Sequence, residues 1–317
     1  MLQFEGIVMI TAGLFAAVLA PLEFFLFKNI TKNLAGLGTL GFAVHSGQIF
    51  GLYLVALVFV PLGYGHLHLR SWAHKLSLAA LWSWLILGLP CMALVMFIFV
   101  GYKDPTDFGA LVFGALTLLI YPGLPSVFIL FYRSSNTQAQ FEKPADRLTW
   151  VEATPLPVII LGSVATFYVF AFHLPLFLNG VVPFGCGFRS GLSGYAFAST
   201  AILVLAFVAW GLFRQRLWAW YGGVTCFATM AVNFTVAFLC SGSAAFFQVL
   251  GARDLDLSQV ERQFPSVLIA VLLLLPTVST LLTMLFGRRH FDRIPTKAEL
   301  WVGLLALVIL IRLWTKV

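Results

Sequence analysis

The chain has 317 residues, 61% of them hydrophobic and only 10% charged, and its mean hydropathy is +0.97. Soluble domains carry about 25% charged residues, so this composition excludes a soluble enzyme and requires a polytopic membrane protein with short loops. The net charge of +7 is scattered over loop ends rather than grouped in a run, which fits orientation in an anionic bilayer and argues against a nucleic-acid partner.

The opening Met1-Leu2-Gln3-Phe4-Glu5 has no basic stretch, and no clean small-residue cleavage site follows, so the first apolar run reads as a retained helix. Eight apolar segments are expected to span, at residues 6–27, 40–62, 73–101, 108–132, 155–177, 194–213, 218–240 and 265–287. Each has about 20 residues or more, enough for a hydrocarbon core of about 30 Å. Nothing in them alternates as a barrel strand does, so they read as helices. A ninth segment, residues 299–314, is apolar on every face and bracketed by Trp301 and Trp314, and is read as crossing too. Lipid is the first expected partner.

Two basic elbows organise this pattern. One reads Leu69-Arg70-Ser71-Trp72-Ala73-His74-Lys75, the other Gln215-Arg216-Leu217-Trp218-Ala219-Trp220. Arg70 and Arg216 suit lipid phosphates, and Trp72 and Trp218 suit headgroup depth, so all four are expected interface anchors. Other positions match between the halves: Pro122 with Pro276, and Glu23 with His173. The fold class expected is all-α, a polytopic bundle of eight or nine helices built from two parallel four-helix repeats. The first repeat covers residues 1–133, a cytoplasmic linker 134–152, the second repeat 153–289 and the terminal hydrophobic segment 290–317. Pro122 and Pro276 are expected to kink their helices at equivalent points, and Gly47 with Gly51 reads as a close helix-packing pair.

Loops after the second, fourth, sixth and eighth spans hold eleven Lys and Arg residues against six on the opposite side. This places the N-terminus and both elbows in the cytoplasm, with the chain in a membrane such as the bacterial cytoplasmic membrane. A reporter fused after Arg147 should therefore behave as cytoplasmic and one inserted near Arg253 as external. Finding both on one side would break the eight-span order.

Chemical motifs are scarce. The sequence has no phosphate loop, dinucleotide fingerprint, GxSxG or HExxH, and no metal-ligand spacing. His66 and His68 alternate beside Arg70 and read as solvated loop residues. Cys186 and Cys240 fall on the external side, where a disulfide between them is allowed. Glu23, His45, Gln48, His173 and Asn233 all fall in the outer part of their helices and form the candidate polar site. Three readings of it stay open: a structural network, a proton or small-solute site, and a haem b ligated by His45 and His173. Function is read accordingly as a non-enzymatic membrane subunit or scaffold associated with other membrane proteins. A small-solute transporter with its site in the outer half is the first alternative, and a haem- or quinone-binding redox subunit the second.

Overall fold

The computed structural model describes residues 2–30, 38–102, 108–141, 149–249 and 265–291. The long helices are α1 (Leu2–Ile30), α2 (Gly38–Leu67) and α3 (Ser71–Tyr102). Next come α4 (Phe108–Leu118), a π-helical turn (Leu119–Gly123) and α5 (Leu124–Arg133). Two short helices, α6 (Ser135–Phe141) and α7 (Trp150–Ala153), occupy the expected linker. They are followed by α8 (Leu156–Ala171), α9 (Leu174–Phe177), β1 (Val182–Phe184) and β2 (Gly187–Arg189). The last helices are α10 (Gly191–Phe213), α11 (Leu217–Val249) and α12 (Ser266–Gly287).

Seven stretches among the described residues are long and apolar enough to cross a membrane. The chain is therefore a helical bundle of the multi-pass membrane type. The seven match every expected span but the third, where α3 is a continuous helix whose first two turns carry Ser71, His74, Lys75 and Ser77. The ninth segment, residues 299–314, lies outside the described residues, as do the loops holding Arg147 and Arg253.

Three local features go beyond the apolar pattern, and one of them corrects it. The loop after the fifth span folds into an antiparallel hairpin, β1–β2, with Phe184 opposite Gly187. Gly185 takes the first turn position with φ +57, the conformation a tight two-residue turn requires there. The two prolines are not equivalent: Pro122 sits in the π-helical turn, whereas α12 continues unbroken through Pro276. The polar linker also contributes to a core, because Phe141 is 2% exposed.

The chain forms two compact units, one of residues Met1–Leu81 and Val127–Leu156, the other of Trp82–Ser126 and Pro157–Val317. In the first, α1 packs along α2 through glycines. A Cβ on Gly6 would lie 2.8 Å from the Gly63 carbonyl oxygen, and one on Gly13 would lie 2.8 Å from Val60. Such contacts let backbones approach where no hydrophobic effect drives helices together. In the same unit Leu2, Leu78, Tyr132 and Phe141 make a buried cluster. In the second unit, α8, α10, α11 and α12 contribute the fully buried Leu161, Leu212, Phe227 and Met284. The Trp220 ring N–H donates to the Met284 carbonyl at 2.8 Å, which ties α11 to α12. α11 breaks at Gly242, whose φ is +80. Just past the break, the Ser243 N–H donates to the Ser266 hydroxyl at 2.6 Å.

Candidate functional site

Each elbow is the same hydrogen-bonded turn. The Arg70 N–H donates to the Gly65 carbonyl (2.8 Å) and the Leu69 N–H to the His66 carbonyl (3.1 Å). In the second copy Arg216 donates to Gly211 (3.0 Å) and Gln215 to Leu212 (2.8 Å). Leu69 and Gln215 carry φ values of +50 and +58. This pair of bonds around a left-handed residue is the Schellman helix ending, although glycine usually fills that position. Both helices carry a glycine at the crossing, since a Cβ on Gly65 would overlap Ala73 and one on Gly211 would lie 2.5 Å from Trp218. The Trp72 and Trp218 rings thus fold back over the preceding helix. Trp218 also stacks on Phe207, with centroids 4.4 Å apart.

A polar cluster lies behind the first elbow. His66 is fully buried, not a solvated loop residue, because α2 runs one turn further than its apolar sequence suggests. His68, two residues on, is exposed. His66 Nδ1 lies 2.8 Å from the Leu62 carbonyl oxygen, and Nε2 lies 2.6 Å from the Tyr132 hydroxyl. The same hydroxyl is 3.1 Å from Glu5 Oε2. His74 Nε2 donates to the Tyr132 carbonyl at 2.8 Å. Phe141 closes the cluster, with its ring 5.3 Å from that of His66 and 5.2 Å from that of His74.

Proton counting constrains this chain. A carbonyl only accepts, so His66 Nδ1 carries a hydrogen. The single Tyr132 hydrogen cannot serve both Glu5 and His66. Two arrangements satisfy both contacts. In one, a protonated Glu5 donates to Tyr132, which donates to neutral His66. In the other, imidazolium His66 donates to Tyr132, which donates to the Glu5 carboxylate. Both hold the same number of protons and no net charge; they differ by one shift along each bond. At the equivalent place in the second elbow stands Leu212, also fully buried, so this turn packs without a polar group there.

Further contacts anchor the first elbow to α7. Thr149 and Glu152 form a reciprocal cap at the start of that helix. The Ser71 hydroxyl donates to the Glu152 carboxylate, and Lys75 Nζ donates to the Glu152 carbonyl at 2.8 Å.

In the second unit, a cavity of about 240 Å³ lies among the end of α8, β1, α10 and α11. Its wall is mostly apolar, with Thr200, Thr225, Thr229 and Asn233 as polar points. Asn233 Oδ1 accepts from the Gly185 N–H at 3.2 Å, and its Nδ2 donates to the Thr229 carbonyl at 3.0 Å. One amide hydrogen and one acceptor site are left over from these two bonds.

Of the residues singled out in the sequence, Asn233 is thus placed at a cavity. Glu23 is half-buried on α1 in the first unit. Gln48 is exposed on α2, and the His45 side chain lies outside the described residues. His173, in the second unit, precedes α9 and its Nδ1 donates to the Val169 carbonyl at 2.8 Å. Cys186 and Cys240 are free thiols whose sulfurs lie 2.8 Å apart. Sequence reasoning missed Glu5, Tyr132 and Phe141. Tyr132 ends an apolar run just before Arg133, Phe141 stands alone in a polar linker, and Glu5 opens the first span as a lone acid.

No protein family, curated protein or solved structure matches this chain. Its chemistry is therefore argued from its own geometry.

Proposed function

We propose that this chain is a non-enzymatic multi-pass membrane protein acting as a subunit or scaffold of a larger membrane assembly. One observation carries the reading. Gly6, Gly13 and Gly63 are all consumed in packing α1 on α2, whereas no described atom lies within 4 Å of a Cβ placed on Gly51. Gln48, one turn earlier on the same face, is exposed. A small residue beside a side-chain amide is the surface on which a further transmembrane helix packs and finds a hydrogen bond. The Glu5–Tyr132–His66 chain fits the same reading, because its members tie α1, α2 and α5 together.

The orientation that goes with this proposal, from the basic-residue count, puts the N-terminus and both elbows in the cytoplasm. An internal duplication belongs to it as well, and the matching hydrogen bonds of the two elbows support that. A second reading, binding or transport of a small solute, is favoured by Asn233, which brings a membrane-embedded amide to the second unit's cavity.

The test is purification from native membranes at native expression. The expected result is co-purification at fixed stoichiometry with another membrane protein or a second copy, and release of that partner by Gly51→Leu without loss of the folded chain. Isolation of a lone chain with the same size in wild type and Gly51→Leu would overturn the assembly. Thermal stabilisation of that lone chain by a solute would then favour transport.

A further inference from the structure

The β1–β2 hairpin is held to α11 at two points on that helix. Near its middle, Asn233 accepts from the Gly185 N–H. About two turns on, the Ser241 hydroxyl donates to the Cys186 carbonyl at 2.5 Å. Phe188 of β2 packs on Phe238 and Phe246, with centroids 5.1 and 5.3 Å away. Cys186, the second turn residue, faces Cys240 with sulfurs 2.8 Å apart, and both residues are exposed. Val182 and Pro183 of the same hairpin form part of the cavity wall, which Cys226 of α11 also lines. Every tie between hairpin and helix is non-covalent and so opens reversibly.

We infer that Cys186 and Cys240 form a redox-modifiable thiol pair, closed by a disulfide-bearing oxidant, whose bond staples the β1–β2 hairpin across the cavity and restricts entry to it. The step is ordinary thiol–disulfide exchange. The Cys240 thiolate attacks one sulfur of the oxidant's disulfide, breaking that S–S bond and releasing one thiol. The Cys186 thiolate then attacks the Cys240 sulfur of the mixed disulfide and releases the second. The two protein thiols are oxidised, the oxidant's disulfide is reduced, and the two protons leave with its thiols. The closed bond spans 54 residues of sequence, so it removes the hairpin's freedom to lift from α11. The inference is independent of the assembly proposed above.

The experiment uses the full chain in detergent, with Cys91→Ala so that Cys226 is the remaining reporter thiol. Oxidised glutathione is the probe oxidant. Mass spectrometry should find an internal Cys186–Cys240 bond and no retained glutathione. Modification of Cys226 by N-ethylmaleimide should slow by about tenfold or more and recover on reduction. With Cys186→Ser added, Cys240 should instead keep one glutathione and Cys226 should react at the fast rate with or without oxidant. Stable glutathione on both cysteines of the parent would overturn the pair, and an internal bond with an unchanged Cys226 rate would overturn the staple. Comparing oxidised and reduced samples of one preparation keeps a folding defect from imitating either result.

Discussion

Replacing His66 by leucine should destabilise the chain by about 2 kcal/mol, the cost of losing a buried hydrogen bond from a linked polar set. The substitution removes the group that Tyr132 contacts at 2.6 Å and leaves the tyrosine hydroxyl with Glu5 as its partner. Two companion variants distinguish the cause. Glu5→Gln should change stability by less than about 1 kcal/mol, because its amide can donate to Tyr132, which then donates to neutral His66. Glu5→Leu with His66→Leu and Tyr132→Phe should recover most of the loss, since a fully apolar replacement of a buried network is often neutral. Leu212 in the second elbow supports that expectation. Thermal unfolding of the purified chain in one detergent measures all three. A Glu5→Gln loss as large as that of His66→Leu would mean that the ion-pair arrangement is required and the neutral one does not form.

The second large effect is expected at Gly194. A Cβ there would overlap the Gly180 carbonyl oxygen, a backbone atom that cannot swing aside as a side chain can. Gly180 is itself fixed by φ +68 and by its N–H bond to the Pro175 carbonyl at 2.8 Å. Gly194→Ala should therefore cost about 3 kcal/mol, the upper range for overpacking. Gly191 provides the control three residues away. Its φ is +64, yet a Cβ there meets open space, so Gly191→Ala should cost only about 1–2 kcal/mol, the strain of a left-handed alanine. A Gly194→Ala loss below about 1 kcal/mol would show that the Gly180 backbone gives way and that the close approach sets no penalty.

The helices were legible because runs of apolar residues in this composition have one stable form in lipid. The elbows were legible from Arg-x-Trp-Ala, and the structure adds that Gly65 and Gly211 are what admit the rings. His66 was misread for a local reason: it alternates with His68 next to Arg70. The helical spacing from Leu62 to His66 was the signal that α2 continues and turns that histidine inward. Phe141 was hidden as a lone aromatic in a polar linker, and Tyr132 by its neighbour Arg133. The hairpin could have been inferred from Phe184-Gly185-Cys186-Gly187, where a glycine at the first turn position precedes Cys186 and a second glycine follows the turn. The partners of Glu5 could not have been found from spacing, since Tyr132 lies 127 residues away and only the folded unit brings them together.

Both elbows join their helices through three residues, 68–70 and 214–216. Fully extended, such a link reaches about 10 Å, a third of the ~30 Å hydrocarbon layer. The end of α10 and the start of α11 must therefore stay at one face of the bilayer, whichever face that is. The same holds for the end of α2 and the start of α3 around Arg70. Lengthening either link with flexible residues would release this constraint and let the two helix ends part.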